Sequence, residues 1–250
     1  MAIADQLALV QARIAAAAQR SGRDPASVTL VAVSKTFPFA AVLEAAAAGQ
    51  RDFGENRVQE ALQKIAQPAD TSLRWHLIGH LQANKAKKAA PAFACVHSVD
   101  SLELLRKLDD GAGDRAPAVG PLELLVQVDL AGEETKFGAP AETAERIVGA
   151  AASLTHARIV GLMLVPPWNE DPEQTRPWFV QLRALRDRLL RKGVDPQTLR
   201  HLSMGMSHDY EAAIEEGATI VRVGRALFGE RPDHEHGPGH DHEPGGDHRH

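Results

Sequence analysis

Val28-Thr29-Leu30-Val31-Ala32-Val33-Ser34-Lys35, followed at once by Thr36-Phe37-Pro38 and an alanine-rich run, is the stretch on which the reading of this chain turns. An apolar, β-branched run this dense fits a strand buried on both faces, as strands of parallel sheets are. Lys35 closes it, so its amine is carried on a rigid element and aimed at whatever lies beyond the strand's carboxyl end. In α/β folds ligands bind at that end. Partial desolvation there lowers a lysine pKa and frees the amine as a nucleophile for imine chemistry. The plainer reading is a lysine that marks the solvent boundary of a strand.

The pattern recurs along the chain. Apolar strand candidates lie at Val28–Ser34, Arg51–Gly54, Trp75–Ile78, Cys95–Val99, Leu122–Val128, Ile159–Val165, Leu199–Ser203 and Ile220–Val223. Helical patterns fill the gaps at Phe39–Ala48, Arg57–Ile65, Gln82–Ala89, Ser101–Leu108, Ala141–Ala152, Arg176–Lys192 and Asp209–Glu216. A further helix, about Ala2–Arg20, precedes the first strand. Asp100 with Glu103 resembles a capping box, Ser207 suits an N-cap, and Gly49, Gly193 and Gly217 stand where helices should stop. Trp178, Leu182, Leu185 and Leu189 share one helix face and predict core.

Strands alternating with helices imply parallel pairing through right-handed crossovers. Eight such units in a 250-residue chain match an α/β fold of one class, a single (β/α)8 TIM-type barrel with an extra N-terminal helix. A doubly wound open sheet is the alternative, but no Gly-x-Gly-x-x-Gly follows the first strand.

Composition sets wider bounds. The formal net charge is −5, and the acidic excess sits mostly at the end of the chain. From Pro232 to His250, Asp233, Glu235, Asp241, Glu243 and Asp247 face only Arg249, and six of the twelve histidines fall there. The body is therefore near neutral, with no basic stripe to hold nucleic acid; the run Asn84–Lys88 fits a solvated helix face. The expected organisation is a barrel over residues 1–231 and a disordered His/Asp/Glu-rich tail over 232–250. The tail could bind Zn, Ni or Cu weakly, although flexible ligands incur an ordering cost and give little selectivity. One cysteine, Cys95, excludes an internal disulfide. No apolar stretch is long enough to span a bilayer, and the N-terminus has no cationic leader, so a cytoplasmic protein without membrane attachment is expected.

The barrel reading places ligand-binding groups at strand carboxyl ends, and polar residues gather there. Lys35 ends the first strand, Asn56 follows the second and His80 the third. Ser203 ends the seventh in Leu-Ser-Met-Gly-Met-Ser, and Arg222 and Gly224 end the eighth in Val-Arg-Val-Gly-Arg. Gly205 lets backbone amides approach a ligand, Ser203 adds a hydroxyl, and the amides after Gly224 can face the same point. In such barrels the loops after strands seven and eight commonly hold phosphate. A phosphate there, with a strand-end lysine across the mouth, fits pyridoxal 5′-phosphate (PLP), which pairs a phosphate with an imine-forming aldehyde. Lys136, in Gly132–Gly138, fits a solvated loop charge better than a second cofactor contact.

The motifs Val-Ser-Lys-Thr, Phe-Gly-Glu-Asn-Arg-Val-Gln-Glu, Trp-His-Leu-Ile-Gly-His-Leu-Gln-Ala-Asn-Lys, Leu-Ser-Met-Gly-Met-Ser and Val-Arg-Val-Gly-Arg-Ala-Leu-Phe-Gly closely resemble those of the pyridoxal phosphate homeostasis protein family. The resemblance runs from about Val28 to Gly229. It implies a barrel similar to the N-terminal domain of alanine racemase, without that enzyme's second domain. It also implies that Lys35 carries PLP as an internal aldimine. Ser203, Gly205 and the Gly224 and Arg225 amides would hold the phosphate, with Arg222 at the pyridine nitrogen. The implied function is to buffer and deliver PLP, to PLP-dependent apo-enzymes among others, and to maintain vitamin B6 and amino-acid balance without assigned turnover. The tail beyond Arg231 is not part of the resemblance.

The chemistry of Arg222 bears on the rival reading, a fold-type III PLP enzyme such as a weak amino-acid racemase. An arginine stays cationic, donates to the ring nitrogen and opposes its protonation, which weakens the cofactor as an electron sink. Racemisation tolerates this but needs an acid and a base on opposite faces of the substrate. The single tyrosine, Tyr210, lies in the helix after Ser207 and suits packing. The reading therefore leans away from an enzyme. A metal-handling protein centred on the tail is a third, weaker reading.

Overall fold

A computed structural model describes residues 1–67, 73–132 and 137–230. Lys136, the 231/232 domain boundary and the proposed metal-binding tail lie outside the described residues.

Eight strands pair in chain order and close on themselves. They are β1 (Thr29–Val33), β2 (Asp52–Glu55), β3 (Arg74–Leu77), β4 (Cys95–Val99), β5 (Leu122–Gln127), β6 (Ala157–Met163), β7 (His201–Ser203) and β8 (Ile220–Val223). Each pairs in parallel with the next, and β1 meets β8 in the register Thr29↔Ile220 to Ala32↔Val223. The chain forms the expected (β/α)8 barrel. Its helices are α1 (Ile3–Arg20), α2 (Phe39–Ala47), α3 (Val58–Ile65), α4 (Ala86–Ala89), α5 (Leu102–Ala112), α6 (Ala141–Gly149), α7 (Arg176–Arg191), α8 (Tyr210–Glu215) and α9 (Arg225–Phe228). None of them is long and apolar enough to cross a membrane.

Strand alternation sorts side chains into two layers. Leu30, Ala32, Phe53, Trp75, Leu77, Val96, Leu124, Leu202, Val221 and Val223 face outward and merge with the helices into one continuous core. Val31, Cys95, Leu125, Val160, Met163 and Ile220 form a separate small cluster inside the barrel. Six apolar side chains do not fill that interior. On the same inward parity stand Asp52, His76, His97, Ser203 and Arg222, and the last four are buried. The added helix α1 lies over α8 and α9, burying Leu7, Val10 and Ile14.

Several local expectations change. The seventh strand is only His201–Ser203, because Asp195 accepts the Gln197 N–H and starts a 3-10 turn at Pro196–Leu199. The helix expected at Gln82–Ala89 splits into a 3-10 turn, Ala83–Lys85, and the short α4. Ser101 rather than Asp100 caps α5, its Oγ accepting the Leu104 N–H. The helix-stop glycines hold: Gly49, Gly193 and Gly217 have φ of 103°, 93° and 105°.

Candidate functional site

Lys35 follows β1 by two residues, where the backbone leaves the ladder. The next residue, Thr36, has φ of 68° and is the only non-glycine with positive φ among the described residues. Such a conformation costs about 1–2 kcal/mol and needs support from its surroundings. Support comes from one buried cluster. Lys64 Nζ donates to Ser34 O at 2.7 Å, to Glu55 Oε1 at 2.6 Å and to Glu60 Oε1 at 3.1 Å. Ser34 Oγ donates to Glu55 Oε1 at 2.6 Å, and the Thr36 N–H donates to Glu60 Oε1 at 2.7 Å. Both chain neighbours of Lys35 are thus tied to the same carboxylate–ammonium group. Burial pushes the Glu55 carboxyl up against the opposing pull of Lys64 and Ser34. At Glu60 burial acts upward too, but the Thr36 N–H and Lys64 hold it below the usual range.

A cavity of about 620 Å³ opens beside this turn, lined by Lys35, Thr36, Phe37, Asn56, Arg57 and Lys64 among others. Asn56 follows β2, its carbonyl packed so closely on Gly79 that a Cβ there would collide with it. Ser203, Arg222 and Gly224 do not line this cavity. Arg222 and Gly224 lie along the β8–β1 seam, with Ser203 one strand further on in β7. Val31 pairs with Arg222, and a Cβ on Gly224 would stand 3.1 Å from Val33 O. The rings of Phe37 and Phe228 meet across the same seam at 5.2 Å. Barrel closure therefore sets the last strand's motif against the strand that Lys35 follows.

On that side the Gly224 and Ala226 N–H groups both donate to Ser207 Oγ, at 3.2 and 3.3 Å. Two amides aimed at one oxygen form an anion-compatible corner. Ser207 is consequently not the N-cap of α8; Asp209 holds that position. Gly205, with φ of 97°, passes so close to α8 that a Cβ would lie 2.6 Å from Ala213 Cβ. The guanidinium of Arg225 points away, exposed and 4.0 Å from Glu230 Oε1.

Arg222 is 3% exposed. It donates from Nη1 to Ser203 Oγ at 2.7 Å and from Nη2 to Leu164 O at 2.9 Å. Burial lowers its pKa to about 10, with Asp209 opposing the shift, so it remains a cation at neutral pH. Ser203 Oγ also bonds His97 Nδ1 at 2.8 Å. The sequence reading passed over His97, although a histidine at an inward position of an apolar strand was a usable signal.

Across the mouth, His80 stacks on Phe137 with ring centroids 3.8 Å apart, and its Nδ1 lies 3.7 Å from Asp100 Oδ2. Tyr210 belongs to the outer core, with the Arg13 guanidinium 5.6 Å over its ring, and does not enter the barrel interior. A lysine amine, a buried cation and convergent amides on adjoining strand ends suit a ligand that combines an aldehyde, a ring nitrogen and a phosphate.

Three comparisons bear on this arrangement. The sequence profile of the family described as "Alanine racemase, N-terminal domain" matches residues 6–232. The pyridoxal phosphate homeostasis protein of Pseudomonas aeruginosa is 48% identical over 229 residues, covering 92% of this chain and 96% of that protein. PipY of Synechococcus elongatus, solved with PLP bound, superposes with a TM-score of 0.78 at 41% identity, over 91% of this chain and all of that one.

Proposed function

The chain belongs to the alanine racemase N-terminal domain family and, within it, to the pyridoxal phosphate homeostasis proteins, and we propose that it binds PLP at Lys35 to buffer and deliver it in the cytoplasm. Bound PLP supplies an aldehyde able to condense with a primary amine. Lys35 is the amine at the seam. Arg222 would face the ring nitrogen as a donor, and the Gly224 amide, with Gly205 in the loop before α8, would surround the phosphate. The Ser203 hydroxyl at the end of β7, engaged by His97 and Arg222, would support Arg222 instead. The amides and hydroxyl that converge at Ser207 add that residue to the set. Asn56 and Arg225 contribute backbone or rim contacts in this reading. PLP-dependent apo-enzymes are the acceptors a carrier of this kind would serve.

The observation that supports the reading is the β8–β1 seam, where Arg222 pairs with Val31 and Gly224 passes close to Val33, two residues before Lys35. The racemase alternative draws less support, because Tyr210 is packed in the outer layer. The test is a visible spectrum of the PLP-loaded protein before and after borohydride, followed by peptide mapping. Lys35 should carry the reduced adduct, and Lys35→Ala should lose the visible band. Labelling of Lys85 or Lys136 instead would refute the assignment.

A further inference from the structure

A file of hydrogen bonds runs through the barrel from its floor to the mouth. Asp52 stands at the amino end of β2, its carboxylate near Arg74. Asp52 Oδ1 is 2.8 Å from His76 Nε2, His76 Nδ1 is 2.9 Å from His97 Nε2, and His97 Nδ1 is 2.8 Å from Ser203 Oγ. Arg222 Nη1 completes it at 2.7 Å from the same Oγ. Five residues from β2, β3, β4, β7 and β8 are joined, and both nitrogens of each imidazole are used. Cys95 offers its sulfur within 4.8 Å of the pair, but with those nitrogens already engaged the trio packs around the file instead of forming a vacant ligand set.

Donor and acceptor rules fix the direction of the file. Arginine only donates and an ionised carboxylate only accepts. His76 must therefore donate from Nε2 to Asp52, and in the inferred file its Nδ1 is the acceptor. His97 then donates from Nε2 and accepts at Nδ1, which draws the Ser203 proton toward His97. Both Ser203 lone pairs are left for donors, and Arg222 supplies one. Burial holds His97 well below the ordinary histidine range, with His76 and Arg222 adding to the effect, so it fits as a neutral link. The logic is that of a carboxylate fixing an imidazole tautomer so that a distant atom keeps one hydrogen-bonding role.

We propose that Asp52, His76 and His97 are positioning residues that act through Ser203 to fix the Arg222 guanidinium for donation to the cofactor's ring nitrogen. The inference rests on the cofactor reading above. It gives the buried histidines a role and makes the Ser203 hydroxyl an acceptor for Arg222 before it is anything else.

The test uses the full chain with ¹⁵N-labelled histidine and ring-¹⁵N PLP. In the cofactor-free protein both His76 and His97 should be Nε2–H tautomers. In the loaded protein, His97→Leu should move the ring-nitrogen resonance and weaken PLP binding about tenfold, the scale of one mispositioned charge-assisted hydrogen bond. Its affinity for inorganic phosphate should not change. His97→Asn, whose amide oxygen can still accept the Ser203 proton, should restore most of the loss. An Nδ1–H on either histidine would overturn the proposal, as would a leucine variant with wild-type PLP affinity and resonance. If the leucine variant does not fold, the tautomers and the asparagine variant decide. The wild-type borohydride map is read first: a cofactor trapped away from Lys35 would refute the underlying reading, and this proposal with it.

Discussion

The burial of His97 has a consequence for stability that needs no ligand to measure. Folded, the imidazole is inside the barrel, fully buried, with its pKa pushed well down by desolvation and by the neighbouring His76 and Arg222. Unfolded, it regains an ordinary pKa of about 6.5. Below that value the unfolded chain takes up a proton that the folded one refuses, so stability falls as pH falls. From about pH 7.5 to about pH 5.5 the loss from this one group works out at about 1.4 kcal/mol, provided the folded imidazole stays neutral throughout. His201 is also lowered, mainly by burial, and adds to the total slope, so the wild type alone cannot isolate the effect. His97→Asn can. It keeps an acceptor for Ser203 but cannot titrate. Urea unfolding at each pH should show the variant less stable near neutrality and the gap closing by about 1.4 kcal/mol at the acid end. Parallel curves for the two proteins would mean that His97 takes up its proton in the folded barrel as readily as in the unfolded chain, and the direction assigned to the hydrogen-bond file would fail.

Two further outcomes follow from the turn that carries Lys35 and from the loop beside it. Lys64→Met leaves the Glu55 carboxylate buried without its cation and should cost about 3–5 kcal/mol in chemical denaturation, whereas replacing both partners with apolar residues should cost less. Gly205→Ala puts a Cβ 2.6 Å from Ala213 Cβ at a φ of 97° and should destabilise by about 2–4 kcal/mol in thermal or urea unfolding. A fully stable variant would mean the β7–α8 loop can shift.

The barrel was legible because each strand's outward face is apolar and each gap is helical, so two periods alternate without interruption. What was misread lies where short-range chemistry overrides period. Leu199 looked like strand, but Asp195 and Pro196 start a turn there. Ser207 looked like a helix cap, but its oxygen is claimed by amides at the start of α9, a contact across 17 and 19 positions that no local pattern encodes. Lys35, Ser203, Arg222 and Gly224 were legible as strand ends in one fold. The placing of Arg222 and Gly224 against β1 depends on closure of β1 onto β8, and only the complete barrel specifies that. Glu55 and Lys64 were invisible as a pair, because a motif read along the chain does not reveal that a lysine nine residues on folds back beneath it.

The interior of this barrel argues for a site built to fix the position of one cation. Inward positions at mid-height carry an Asp–His–His–Ser file where small apolar layers would have packed without desolvating any polar group. That file ends on Arg222, a cation without a carboxylate among its hydrogen-bond partners, so what it prepares is a fixed donor. In the proposed pose, such a donor at the ring nitrogen would keep that nitrogen unprotonated, weakening carbanion stabilisation while preserving a directional contact. Lys35, in turn, has both chain neighbours tied to one buried ion cluster, which fixes the backbone from which its side chain leaves. A catalyst gains from a second acid–base group opposite the lysine. The chain's one tyrosine is spent in the outer core under Arg13. The invested polar groups are aimed at geometry, as the carrier reading proposed above requires.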